Sequence, residues 1–195
     1  MRRDLITGLL AVIVLTIFLG VVYPLAVTGI AQVVFPGKAD GSLVEVDGRV
    51  VGSRLIGQEF EGLAYFHSRP SATEYSGNVT FFGNVGPNSK EGREEVEANL
   101  KTYLRREAPY DHELRSQAVP VDAVTQSASG VDPHISPANA WIQAHRVAAV
   151  RGLPLGRVED LISSHTDGRF LGLLGEPGVN VLELNIALDQ EAPIR

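Results

Sequence analysis

The stretch Leu5–Val34, LITGLLAVIVLTIFLGVVYPLAVTGIAQVV, decides how the rest of the chain is read. No charged side chain occurs between Asp4 and Lys38, and Leu5 to Val22 is almost wholly apolar. An α-helix rises ~1.5 Å per residue, so ~20 residues cross the ~30 Å hydrocarbon core of a bilayer. Inside lipid every backbone N–H and C=O must pair internally, which a single segment achieves only as a helix. Arg2 and Arg3 precede the run, and the positive-inside bias keeps that end in the cytoplasm while the rest is delivered outside. Residues 1–4 thus read as a cytoplasmic N-terminus, and 5–34 as a transmembrane anchor with its core about 5–27. A cleaved signal peptide is the alternative, but its apolar core runs only ~7–15 residues before a small-residue cleavage site. The run here is longer, and Pro24, Ala26 and Gly29 make a poor cleavage pattern.

The anchor also carries a row of small residues and proline, Gly8, Thr16, Gly20, Pro24 and Thr28, at multiples of four positions. Such a row lets a second helix approach closely, which is how membrane helices associate. The plainer reading is that Gly and Pro are simply common in membrane spans.

Without the anchor roughly 155 residues remain, enough for one domain with a real core. The formal net charge is −6, the pI is about 5.4, and the lysines are Lys38, Lys90 and Lys101. That balance excludes nucleic acid as a partner, since such partners draw clustered basic residues. The absence of cysteine rules out disulfides and thiolate chemistry. Residues 35–42 read as a short linker rich in helix breakers, too short for a long tether. Gly37-Lys38 is no phosphate loop, because the following Ser or Thr and the earlier glycine are missing.

The soluble part, 43–195, reads as α+β. Leu43–Val46 and Arg49–Val51 flank Asp47-Gly48, a type I′ hairpin signal. A further strand is expected at Leu55-Ile56. Tyr65–Ala72 combines aromatics with Arg69 before a proline. It reads either as a recognition loop or as a buried Tyr/Phe pair with Arg69 ion-paired at the surface. Ser76–Asn88 reads as a long irregular loop from which Phe81-Phe82 dips into the core. A helix follows over Asn88–Glu107, capped by Asn88 with Glu91 and burying Val96, Leu100, Tyr103 and Leu104.

Ser136-Pro137 starts another helix, which Gly152 and Pro154 close. Its apolar face is expected to be Ala140, Trp141, Ala144, Val147 and Ala148, with His145, Arg146 and Arg151 elsewhere. The polar loop ahead of it holds Ser127, Ser129, Gly130, Asp132, His134 and Ser136. It feeds free N–H groups and a positive helix end, a natural place for an anion or a carboxylate. These residues and Arg69 are the candidate ligand or partner site; a self-bonded structural turn is the competing reading. No catalytic residue is assigned: five histidines do not suggest three convergent metal ligands, and Gly-x-Ser-x-Gly is absent. A short helix over Val158–Ile162, a buried strand at Leu171–Leu174 and a last helix from Asn180 through Leu188 complete the chain, with a strand as the alternative for the last.

Several ordered motifs resemble one family, the C subunit of the bacterial Kdp potassium-transporting ATPase. They are Tyr23-Pro24-Leu25, Gly52-Ser53-x-Leu55-Ile56-Gly57-Gln58, Tyr65-Phe66-x-x-Arg69-Pro70-Ser71 and Gly130-Val131-Asp132-Pro133-His134-Ile135-Ser136-Pro137. Arg146-Val147-Ala148, Gly172-Leu173-Leu174-Gly175-Glu176-Pro177 and Val179–Leu182 continue the match to the C-terminal region. One departure is Val79–Asn84, where the family has a Ser-Gly-Gly-Ser-Asn-like run, so no glycine-loop role carries over there. The resemblance implies a non-catalytic, single-pass subunit of a P-type ATPase in the inner membrane, beside a potassium-translocating subunit and an ATP-hydrolysing subunit. It also implies a catalytic-chaperone role that raises the pump subunit's affinity for ATP. ATP enters only through that family description, and potassium is cargo of the complex and is not expected to bind here. The rival expectation is a free-standing anchored hydrolase or solute-binding domain.

Overall fold

The computed structural model describes residues 1–76, 84–86 and 88–193. The expectation for Phe81-Phe82, and most of the irregular loop around it, lies outside the described residues. The chain divides into two compact units, Met1–Ser53 and Arg54–Arg195.

In the first unit a continuous helix runs over Arg2–Val34, 33 residues with its most apolar window wholly unburied. It consists of α1 (Arg2–Ile17), a π-helical segment Phe18–Val22, and α2 (Tyr23–Val34), with Pro24 in the first turn of α2. At ~1.5 Å per residue it reaches ~50 Å, ample to cross a bilayer. The breaker-rich linker is not wholly irregular: Pro36–Ala39 forms one helical turn, α3, because a proline suits the first helical position. The hairpin forms as expected, β1 (Leu43–Val46) against β2 (Arg49–Ser53). Asp47 and Gly48 both hold positive φ, 51° and 73°, which the type I′ turn demands.

The second unit is α+β with very short strands. Its helices are α4 (Lys90–Glu107), α5 (Pro137–Arg151), α6 (Leu155–Ser164) and α7 (Val181–Glu191). Its strands are β3 (His134–Ile135), β4 (Thr166–Asp167) and β5 (Gly178–Asn180), in antiparallel order β3-β5-β4. One core gathers Phe66, Ile135, Ala144, Val147, Val158, Ile162, Val179, Leu184 and Leu188. A second joins Tyr103 of α4 to Leu114, Ala123 and Val124.

α5 keeps the ends that its sequence signals. Ser136 accepts the Asn139 N–H, and Gly152 takes the left-handed conformation at φ 67°. α7 is a helix, so the strand alternative falls: the Asn180 side chain caps it by accepting the Glu183 N–H at 3.2 Å.

Five local expectations are corrected. α4 is capped by Ser89, whose Oγ accepts the Gly92 N–H, and not by Asn88. Leu55-Ile56 forms a turn and bend, not a strand. Trp141 is 52% exposed, while Arg146 is fully buried. Leu171–Leu174 is no buried strand but an exposed turn.

Candidate functional site

The loop Ser127–Ser136 is built from short side chains that bond to their own backbone. Ser127 Oγ accepts the Gly130 N–H at 3.0 Å, and Ser129 Oγ accepts the Val131 N–H at 3.2 Å. Gly130 turns the chain at φ 74° and presents its carbonyl to Ser71 Oγ at 2.5 Å. Asp132 Oδ1 accepts the His134 N–H at 3.0 Å, an Asx turn, while Oδ2 receives Arg69 at 3.1 Å. Arg69 also donates to the carbonyls of Thr125 and Gln126, at 3.4 and 3.2 Å. It thereby pins the segment before Pro70 to this loop, with its side chain partly exposed.

The loop is held from behind as well. The Gly57 N–H donates to the Val131 carbonyl at 2.7 Å, and a Cβ at Gly57 would stand 2.5 Å from the Asp132 carbonyl oxygen. The Val181 N–H at the start of α7 donates to the Pro133 carbonyl at 3.0 Å.

The positive end of α5 does hold a carboxylate, and it belongs to this chain. Asp122 accepts the Ser136 N–H and Oγ–H, each at 2.8 Å, and the Asn139 amide at 3.1 Å. Nothing local in the sequence marks Asp122 for this role, since it lies fourteen residues before the cap.

His134 stands between two carboxylates, with Nδ1 3.7 Å from Asp132 and Nε2 3.7 Å from Asp167. The Asp132 carboxylate, helped by Asp167, raises its pKa above the ordinary histidine value against the opposing effect of burial. Burial pushes the Asp132 carboxyl up, but His134 and Arg69 together outweigh it and hold the group below the usual carboxylate range. Asp122, Asp132, His134, Asp167 and Glu176 line a cavity of about 460 Å³. No group of three or more His, Asp or Glu converges to hold a metal among the described residues.

A second polar cluster, missed in the sequence, lies between α4 and α5. Arg146 and Glu107 have fully buried side chains and pair at 2.9 Å. Arg146 also donates to the carbonyls of Leu63 and Tyr65, and to Gln143 Oε1 at 3.0 Å. Gln143 and His67 exchange bonds like strand partners, His67 N–H to Oε1 at 2.8 Å and Nε2–H to the His67 carbonyl at 3.0 Å. Asn185 does the same for Phe66, both bonds at 2.9 Å. The aromatic segment Tyr65–Ser68 is therefore sewn into the core by amide side chains. Burial, reinforced by Arg106, lowers the His67 pKa to about 4. The neutral ring accepts from Arg106 at Nδ1 (3.0 Å) and donates from Nε2 to the Gly62 carbonyl (2.8 Å). The sequence signal for it was Gln143 and Arg146, three positions apart and so on one side of α5.

Next to this cluster His67, Arg69, Tyr75, Tyr103 and Arg106 line a cavity of about 240 Å³, together with Glu59 and Glu74. Gly8, Thr16, Gly20, Pro24 and Thr28 all lie on the Arg2–Val34 helix, where the Thr16 methyl lies 3.9 Å from the position of a Cβ on Gly20.

The family model described as KdpC, K+-transporting ATPase, c chain, matches residues 5–190. A potassium-transporting ATPase KdpC subunit of Koribacter versatilis is 45% identical over 196 residues, covering 100% of this chain and 98% of the relative. The subunit of that name from Myxococcus xanthus is 50% identical, covering 97% of this chain and 89% of its own. That of Caldanaerobacter subterraneus subsp. tengcongensis is 44% identical, with 92% and 91% covered. With a match that takes in the N-terminal apolar helix and the domain after it alike, this chain belongs to the KdpC family, the c chains of K+-transporting ATPases.

Proposed function

We propose that the chain is the single-pass, non-catalytic subunit of an ATP-driven potassium uptake complex of the P-type. It lies in the inner membrane with its N-terminus in the cytoplasm and the residues after the anchor outside. The observation that carries this reading is the family match over residues 5–190, joined to a 33-residue apolar helix that opens on two arginines. Its partners on this reading are the potassium-translocating subunit, the ATP-hydrolysing subunit and the bilayer. Potassium is the complex's cargo and not a ligand of this chain.

The two cavities do not suit ATP. The one beside Arg106 holds about 240 Å³, below the ~300–1,000 Å³ usual for small-molecule sites. The one beside His134 sets four carboxylates, Asp122, Asp132, Asp167 and Glu176, against Arg69 and His134, a balance that disfavours a triphosphate. The positive end of α5, where a phosphate would sit, already holds Asp122. We therefore route the chaperone effect on ATP affinity through conformational coupling within the complex.

The test is made on the co-expressed complex and on intact cells. The chain is expected to co-purify with potassium-stimulated ATPase activity and to show no turnover alone. Protease added outside spheroplasts is expected to degrade the part after Lys38. Turnover by the isolated chain would sink the subunit reading, and cleavage seen only in inverted vesicles would reverse the topology.

A further inference from the structure

Phe170, Leu171, Leu173 and Leu174 are 69, 78, 82 and 62% exposed at the end of the loop between β4 and β5. Scattered exposed leucines are ordinary, but four large apolar side chains within five residues form a contiguous patch of the kind that marks a binding surface. The loop is well built. Phe170 and Leu174 exchange backbone hydrogen bonds at 2.8 and 3.0 Å, and the Gly172 N–H donates to the Arg169 carbonyl at 3.0 Å. Leu171 holds φ 53°, a left-handed conformation that a leucine rarely adopts, followed by Gly172 at 73°.

A membrane-anchored chain can bury such a tip in lipid or in another protein, and charge decides between them. Arg169, beside the tip, is held by Glu176 at 2.8 Å. Arg54, which reaches Asp167 at 3.5 Å, is held as well, by that carboxylate and by Glu183 at 3.2 Å. Loops that hold to a bilayer surface combine apolar residues with basic side chains for anionic headgroups. This tip has the first, and the arginines beside it, Arg169 and Arg54, are already paired with carboxylates of this chain. A protein socket needs no free cation: its apolar floor takes the leucines and its polar rim meets the Arg169–Glu176 pair. Resting on the subunit reading above, we infer that the Phe170–Leu174 tip docks into an apolar, polar-rimmed socket on another subunit of the same ATPase.

The test uses the full chain co-expressed with the other subunits and purified through them in detergent. Leu171→Ser with Leu173→Ser changes only exposed side chains, so the melting temperature of the chain is expected to stay at the wild-type value. Recovery of the variant in the complex is expected to fall at least tenfold. Equal recovery overturns the inference, and so does a lowered melting temperature, which would mean that the leucines pack within their own domain. Loss of the wild-type chain itself from the preparation overturns the subunit reading on which the inference rests. A photoreactive residue in place of Leu173, in the complex held in lipid nanodiscs, supplies a second readout. An adduct with another subunit supports the socket, and an adduct with lipid overturns it.

Discussion

Arg146 and Glu107 sit wholly out of water, 39 residues apart in sequence, and each depends on the other for its charge to be tolerable. Removing one partner of such a pair strands a buried charge, which costs about 3–5 kcal/mol. Glu107→Ala is therefore expected to lower the unfolding free energy by that amount, read by urea denaturation of the full chain in detergent. Glu107→Leu with Arg146→Met is expected to recover much of the loss; a double variant as unstable as the single one would count against the pair. His134 sets a second expectation. Its folded pKa is raised by Asp132 and Asp167, so its stabilisation is full below the unfolded value near ~6.5 and is lost as pH rises through the folded value. His67 works on the other limb. Its pKa is lowered to about 4, so falling pH from ~6.5 towards 4 destabilises the fold. Melting temperatures taken upward from pH 6 should decline in the wild type and stay flatter in His134→Gln. Parallel curves for the two would remove His134 from the account.

α5 shows how an element acquires an end. Its limits were legible because capping is local: Ser136 before Pro137 starts it, and Gly152 at φ 67° stops it. Which faces it buries was less legible, because that depends on neighbours far along the chain. Arg146 is drawn inward by Glu107 and by the carbonyls of Leu63 and Tyr65, whereas Trp141 is left half in water. The anion invited by the helix end was likewise legible as chemistry but not as Asp122. Ser136→Ala is expected to cost about 0.5–2 kcal/mol, the usual loss for a cap. Asp122→Asn and Ser136→Ala both act on the 2.8 Å bond from Ser136 Oγ–H to Asp122, so their effects should not add. A double-mutant cycle is expected to give a coupling of about 0.5–3 kcal/mol, and strict additivity would show that the two groups act independently.

Over the whole molecule the sequence revealed the long apolar N-terminal helix, the hairpin and the α+β class, because each rests on a pattern complete within a few turns of chain. It did not reveal that Leu171–Leu174 faces outward, since an apolar run looks the same whether it fills its own core or awaits a partner's. Nor did it show that the candidate loop spends its polar groups on itself: Ser127, Ser129 and Asp132 bond to residues that any sequence window would contain, in a geometry that none displays. Such individual contacts add to the two cores of the strand-poor domain, and the one at Gly57 has a bearing on heredity. Every amino acid that a base change can put there brings a Cβ to 2.5 Å from the Asp132 carbonyl oxygen, so no first step away from glycine is mild. Position 57 can therefore change only together with a shift of the Val131–Asp132 backbone, which ties the inheritance of one residue to that of a distant loop.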